Sequence, residues 1–172
     1  MQGAYLLTIG FASASIHFHP LYQAGSNFRY LGRQVIDKRE TFVVAFAQRP
    51  ETARVVGQVQ VGQASTTVLL QGVAWIDATA YQIVQMRTDL LAPRPDFYGL
   101  EKQTTQVRFR EVQFKHAHSA LWLPHEVVVT TYWNRQILRN RHRYSKFMLF
   151  TVETEQRLKE EEVQPPAPQK PG

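Results

Sequence analysis

Histidine is the residue type with the clearest spacing for chemistry in this chain. His17 and His19 stand two residues apart, as do His116 and His118. Two histidines at that spacing on a strand share one face, where they could bind a metal ion. No Asp, Glu or Cys stands beside either pair in a recognisable ligand pattern. We therefore predict no metal site and no cofactor.

Motifs for catalysis are missing from the sequence. It contains no glycine-rich phosphate loop, no Gly-x-Ser-x-Gly and no His-Glu-x-x-His, and it has no cysteine to act as a nucleophile or form a disulfide. Asp37, Asp77 and Asp89 stand where strands turn or end, where a carboxylate bonds its own backbone. The sequence therefore predicts a protein that is not an enzyme.

Three arginines form the most regular charge pattern. Arg139, Arg141 and Arg143 alternate with other residues, so a strand would place all three on one side. One interpretation is an exposed face kept soluble by like charges, with a cross-strand acid such as Glu126 as partner. The other is a stripe that attracts phospholipid or nucleic-acid phosphates. The pattern alone leaves both open.

The charge of the chain is unevenly distributed. The 172 residues carry a net charge of +6, but 17 basic and 9 acidic residues up to position 150 leave that part at +8, while the remainder is at −2. A basic body favours anionic lipids, nucleic acid or acidic partners. No stretch is long and apolar enough for a transmembrane helix. The apolar run from Ala4 to Phe11 has no basic residue before it, which favours a first strand over a signal peptide.

Short apolar runs separated by turn residues predict an all-β protein built on a curved antiparallel sheet. Turns are expected at Asp37-Lys38, at Asp77-Ala78-Thr79 and at Asn134-Arg135, with a β-bulge near Arg110-Glu111. The predicted domain covers residues 1–152, and a charged, then Pro-rich, disordered tail covers 153–172. The predicted strands are 4–18, 28–36, 40–47, 55–61, 66–76, 80–90, 103–115, 122–134 and 136–150.

Several of these segments together resemble a known family, the periplasmic proteins of the outer-membrane lipoprotein-sorting type (the LolA/LolB-like superfamily). The resemblance is carried by Tyr30-Leu31-Gly32, Val35, Asp37, Arg39-Glu40-Thr41-Phe42-Val43-Val44, Ala74-Trp75-Ile76-Asp77, Tyr81-Gln82-Ile83-Val84 and Leu121-Trp122-Leu123-Pro124-His125-Glu126-Val127. It implies a half-barrel whose concave apolar face, lidded by helices, binds a lipid or a lipoprotein acyl chain in the bacterial envelope. The lid helices and the first strands of that family are not evident here, which indicates a chain that lacks the N-terminal part.

The resemblance also implies which residues bind the ligand. The arginine stripe would attract anionic head groups, and the apolar lining would be Phe42, Val44, Phe46, Val73, Trp75, Ile83, Val107, Phe109, Val129 and Trp133. The same set would equally serve as an ordinary core. Expected partners are an acyl chain, an envelope protein or a second copy paired through edge strands, and no nucleic acid is expected. The alternative functions are an interaction module that reads a peptide by strand addition and, third, a nucleic-acid-binding barrel.

Overall fold

The computed structural model describes residues 11–114 and 120–147, with side chains from residue 15. An N-terminal segment, the 3₁₀ helix Phe11–Phe18 and the single-turn helix α1 (Pro20–Gln23), precedes nine strands. Among these residues, no helix has the length and hydropathy needed to cross a membrane. The strands are β1 (Ser26–Ile36), β2 (Arg39–Gln48), β3 (Gly57–Val61), β4 (Ala64–Val68), β5 (Leu70–Asp77), β6 (Ile83–Leu90), β7 (Leu100–Val112), β8 (Leu121–Trp133) and β9 (Gln136–Arg143).

Seven strands form one antiparallel sheet in the order β1-β2-β5-β6-β7-β8-β9, and β3 and β4 form a separate hairpin. Two of the predicted turns have the geometry of tight hairpins. Asp37 and Lys38 have φ angles of 48° and 65°, and Asn134 and Arg135 have φ angles of 45° and 61°. Two consecutive positive φ angles match the right-handed twist of the flanking strands. The prediction of an all-β antiparallel fold is confirmed.

The main sheet is strongly curved. Strands β2 and β8 are four positions apart, which is about 19 Å in a flat sheet. Nevertheless, the guanidinium of Arg39 at the start of β2 lies 5.1 Å from the ring of Trp122 in β8. The sheet therefore bends, and we call concave the face that carries the main core, against which Trp122 packs. In the part of the chain that the structure describes, β1 and β9 remain unpaired edges, so the sheet is open.

The main core lies on the concave face. The side chains of Ala74, Met86 and Val127 are fully buried there, and Phe46 is nearly so. Small residues in β5 make room for large neighbours, because Gly72 pairs with Phe46 and Ala74 pairs with Met86. The N-terminal segment crosses this face and contacts β6 and β8. It covers part of the concave face, which the sequence analysis left without a lid.

A smaller core joins the β3–β4 hairpin to one end of the sheet. Val59 and Val68 of the hairpin cluster with Leu90 and Leu100 at the ends of β6 and β7. The side chain of Gln48 reinforces this junction by accepting a hydrogen bond from the backbone of Leu70 at 2.7 Å. These contacts fix the hairpin away from the open part of the concave face.

The predicted first strand over residues 4–18 is wrong for residues 11–18, which are helical; residues 1–10 lie outside the described part. His17 and Phe18 explain the difference, because both rings pack on Phe46, with centroids 5.1 and 5.6 Å away. Consecutive residues on a strand point to opposite faces and could not both do so. The aromatic pair therefore requires a helical turn at this position.

Other boundaries also differ from the prediction. The bulge that was predicted near Arg110-Glu111 lies instead in β8. Arg108 pairs with Glu126 and Phe109 pairs with Pro124, so His125 is the extra, unpaired residue. The predicted strand over 66–76 is divided at Leu69 into β4 and β5. The predicted tail over 153–172 and the pair His116 and His118 lie outside the described residues.

Candidate functional site

A groove of about 790 Å³ lies between the N-terminal segment and the concave face. Its floor is apolar, because Ile76, Ile83 and Trp122 pack against the main core. None of the described residues that line it is Asp, Glu, Lys or Arg. The lining consists of Ser15, Ile16, Phe18, His19, Pro20, Gln23, Ile76, Tyr81, Gln82, Ile83, Phe109 and Trp122. We call this cavity the concave groove.

Tyr81 forms part of the rim of the concave groove in a strained conformation. Its φ angle is 55°, a left-handed value that is costly for a bulky side chain. Its side chain is 72% exposed, and its ring stacks on Phe42 with a centroid distance of 6.4 Å. An exposed aromatic residue in such a conformation contributes little to a core. Its position at the rim suits it to contact a molecule in the groove.

Asp77 fixes the turn that carries Tyr81. One carboxylate oxygen accepts hydrogen bonds from the backbone amides of Thr79 and Ala80, each at 2.8 Å, and the other accepts one from Arg39 at 3.0 Å. The two amides, with a smaller contribution from the guanidinium, hold the pKa of Asp77 below its usual value. Asp77 therefore has the turn role that its position in the sequence suggested.

Arg39 joins three elements at the end of the concave groove. Besides Asp77, its guanidinium contacts Glu111 in β7 at 3.9 Å and lies over Trp122 in β8. These contacts hold the β1–β2 turn close to the other side of the curved sheet. Because Trp122 lines the groove, Arg39 positions part of its wall without entering it.

The histidine pair near the N-terminus does not converge on a metal site. His17 is buried against Phe46, and this burial lowers its pKa. His19 is exposed, and its Nδ1 accepts a hydrogen bond from the backbone of Leu21, which caps helix α1. Among residues 11–114 and 120–147, no three His, Cys, Asp or Glu side chains lie together as metal ligands.

Seven of the ten predicted lining residues lie on the concave face beside the main core or the groove, and an eighth, Trp133, lies on the same face at the far end of β8. Phe46, Val107 and Val129 belong to its buried core, whereas Ile83 and Phe109 also line the concave groove. The other ten residues that line the groove were not predicted, among them Ile16, Phe18, Ile76, Tyr81 and Trp122. The seven are Phe42, Val44, Phe46, Ile83, Val107, Phe109 and Val129.

The other three predicted lining residues lie away from the main core and the concave groove, and two of them are on the convex face. Val73 and Trp75 pair with Ala45 and Val43, whose side chains point to the convex face, and the Trp75 indole N–H donates to the Gln34 side chain there at 2.8 Å. Both parities of β5 are apolar, so the sequence could not distinguish its faces. The third, Trp133, packs edge-to-face against Tyr98 at the far end of β8.

The arginine stripe lies on the convex face, opposite the concave groove. Arg139, Arg141 and Arg143 of β9 are all exposed. Glu126 is their cross-strand acid, as expected: its carboxylate lies 3.3 Å from Arg141 and 3.9 Å from Arg143. The stripe is therefore separated by the sheet from any molecule in the groove and cannot hold that molecule's head group.

Two further depressions are smaller. One of about 210 Å³ lies between the β1–β2 turn and β7 and has charged residues in its wall, among them Arg39, Arg108 and Glu111. The other, of about 400 Å³, lies on the convex face and includes Val73. Neither combines the volume and the uncharged lining of the concave groove, so the concave groove is the candidate functional site.

Comparison of the chain with protein-family models gives no match, and neither do comparisons with curated proteins and with solved structures. The resemblance to lipoprotein-sorting proteins therefore stays a prediction that rests on the motifs alone. The geometry of the concave groove is the basis for inferring function.

Proposed function

We propose that this protein binds the acyl chain of a lipid or lipoprotein in the concave groove, without catalysing a reaction. The observation that carries the proposal is an open groove of about 790 Å³ whose described lining contains no Asp, Glu, Lys or Arg and whose floor is continuous with the core. Pockets for small molecules have volumes of about 300–1,000 Å³ and are mainly apolar. The resemblance to lipoprotein-sorting proteins supports the same ligand and a location in the bacterial envelope.

The energetics of an acyl chain fit such a groove. Each methylene removed from water contributes about 0.8 kcal/mol, without directional requirements. An apolar wall formed by Ile76, Ile83 and Trp122 therefore suits a chain of methylenes better than a polar ligand. At the rim, the hydroxyl and amide groups of Tyr81, Gln82 and Gln23 can hydrogen-bond an ester or carboxyl group.

The first experiment combines lipid extraction with a chain-length series. Native mass spectrometry of the purified protein should show a co-purified acyl lipid that organic solvent removes. Delipidated protein should then bind saturated fatty acids with a Kd that falls about fourfold for each added methylene, until the groove is full. A Kd that does not change with chain length would contradict acyl-chain binding.

Tyr81 offers a variant that separates binding from stability. Tyr81→Gly removes the ring at the rim and relieves the positive φ angle, so the fold should not be weakened. We expect it to lower fatty-acid affinity about fivefold or more. The matched control is Tyr98→Gly, because Tyr98 has a φ angle of 52° and is 54% exposed but does not line the groove. Equal losses in both variants would argue against the groove as the site.

The edge strand β9 favours a second candidate function, recognition of a peptide or a second copy by strand addition. All eight residues of β9 are exposed, and among the described residues β8 is its sole hydrogen-bonded neighbour. Its outer backbone groups can pair with another extended chain. Sizing in solution tests the homodimer: a monomer at every concentration would exclude pairing of two copies through this edge.

A further inference from the structure

We propose that the convex face of β7–β9 is a docking surface for a bilayer that contains anionic phospholipids. This inference goes beyond acyl-chain binding and does not depend on it, because the two surfaces lie on opposite faces of the sheet. We call the surface the basic face. Its cations are Lys102, Arg108, Arg110, Arg139, Arg141 and Arg143.

The strand register places these cations together. Arg108 in β7 and Arg143 in β9 both pair with Glu126 of β8 and therefore flank it on one face. Lys102, in turn, pairs with Tyr132, which pairs with Ile137 at the other end of β9. The six cations thus lie on the two strands that flank β8, over a length that one phosphate cannot occupy.

Charge balance on the basic face strongly favours an anionic partner. Glu126 is its central acid, and it contacts three arginines: Arg141 at 3.3 Å, Arg143 at 3.9 Å and Arg108 at 4.0 Å. These contacts orient the guanidinium groups without neutralising the surface, since three arginines share one carboxylate. The side chains remain between 50% and 74% exposed, so they can still contact phosphates.

Arg139 is the cation most available to a partner. It pairs with Thr130 rather than with an acid, and within residues 11–114 and 120–147 it forms no ion pair. Its neighbour on the same row, Ile137, is 63% exposed although it is apolar. Basic residues beside an exposed aliphatic side chain suit the interface of a bilayer, where phosphates lie next to acyl chains.

The basic face is less suited to single-stranded nucleic acid. Binding of that kind stacks bases on aromatic rings that lie among the cations. On the basic face, Tyr132 is an aromatic side chain of β8 and pairs with Lys102. The ammonium of Lys102 lies over its ring, 5.9 Å from the centroid. The aromatic residue beside Arg110, Phe147, is likewise covered by its guanidinium at 5.6 Å. With these rings occupied, the observations favour a lipid surface.

Co-sedimentation with vesicles tests the proposal on the full chain. Binding to phosphatidylcholine vesicles that contain phosphatidylglycerol should exceed binding to phosphatidylcholine alone, and it should weaken as salt shortens the screening length. Replacing Arg139, Arg141 and Arg143 by Gln should lower the partition coefficient about a hundredfold, since each cation near such a surface is worth about fivefold. Equal binding to both kinds of vesicle would overturn the proposal.

A matched pair of single variants removes the effect of net charge. Arg139→Glu and Arg54→Glu change the charge of the protein equally, but Arg54 lies in the exposed β2–β3 loop, outside the basic face. We expect Arg139→Glu to lower the partition coefficient more than fivefold and Arg54→Glu to leave it nearly unchanged. Equal losses would show an unspecific charge effect and overturn the docking surface. Thermal melting of each variant verifies that it is folded.

Two further measurements test the identity of the partner and the binding function of the concave groove. Tighter binding to a single-stranded oligonucleotide than to anionic vesicles at the same salt would overturn the bilayer as partner. Fatty-acid affinity should be unchanged in Arg139→Glu, because the sheet separates Arg139 from the concave groove. Vesicle binding without fatty-acid binding would support the basic face as a docking surface and would contradict acyl-chain binding in the concave groove.

Discussion

The two faces of one sheet use the same strands for opposite purposes. On the concave face, successive strands contribute Phe46, Ala74, Met86 and Val127, and the N-terminal segment covers them in part. On the convex face, the alternate positions of β7–β9 carry arginines around a single glutamate, Glu126. Because side chains alternate across a strand, neither set interferes with the other. A single layer of β-structure can thus combine an apolar groove with a charged surface.

Curvature is what makes this division workable. An open sheet that is flat would expose its apolar face, whereas here the bend brings Arg39 of β2 over Trp122 of β8. The N-terminal segment then needs to cover only part of the concave face, and the remainder forms the groove. The size of the groove is therefore determined by the curvature of the sheet and by the position of the N-terminal segment on it.

The largest contrast between the faces should come from neighbouring residues of β6. Met86 is fully buried in the concave core, whereas the side chain of Gln85 points the other way and pairs with Arg108. Met86→Ala should lower the free energy of unfolding by about 2–5 kcal/mol, and Gln85→Ala by about 0.5 kcal/mol or less. Urea denaturation measures both. Similar losses would mean that the core is not confined to the concave face.

Gly72 should show how tightly the concave face is packed. A Cβ at this position would clash with the carbonyl oxygen of Arg87 and would lie 2.9 Å from the ring of Phe46. Gly72→Ala should therefore destabilise the protein by about 1–3 kcal/mol through overpacking.

The same site permits a sharper test by double substitution. Since the nearest atom to the added Cβ is a backbone oxygen, Phe46→Leu should not restore the stability of Gly72→Ala. Full rescue in the double variant would show that the aromatic ring, rather than the backbone of β6, limits the space. Thermal unfolding of the single and double variants gives the comparison.

The sequence was sufficient where local chemistry determines structure. The turns at Asp37-Lys38 and Asn134-Arg135 follow from residue types that tolerate a positive φ, and the pairing of the arginine stripe with Glu126 follows from alternation. The sequence was insufficient where contacts between residues far apart in the chain determine the structure. Residues 11–18 are predicted as part of a strand, and only the packing of His17 and Phe18 on Phe46 shows that they are helical. The candidate groove was partly predicted, because Ile83 and Phe109 line it.

The assignment of Trp75 failed for a related reason. In β5, Val73 and Trp75 are larger and more apolar than Gly72 and Ala74, so hydrophobicity alone favours the wrong face. Ala74 is buried and Gly72 is half-buried, because Phe46 and Met86 from neighbouring strands fill the space above them. The size of a residue's cross-strand partners, which a single sequence does not reveal, decides the face here.

His17 should make the cover of the concave face sensitive to pH. Its burial lowers its pKa below 6.5, so the contribution of the neutral ring is fully present above 6.5 and declines as the pH falls toward the native pKa. We expect hydrogen exchange in the N-terminal segment to accelerate over that range, with little change in β9 on the exposed edge. His17→Phe should abolish the pH dependence; an unchanged pH profile in this variant would assign it to another group.

Trp75 should give the smallest effect and the most direct test of the separation between faces. Trp75→Phe removes the hydrogen bond to Gln34 on the convex face, which is worth about 1 kcal/mol or less. Fatty-acid affinity should stay at the wild-type value, whereas Trp122→Phe, which alters the wall of the concave groove, should lower it. Fluorescence titration with one fatty acid compares the two variants. If Trp75→Phe weakened binding as much as Trp122→Phe, the ligand would contact the convex face, and the groove would not be its site.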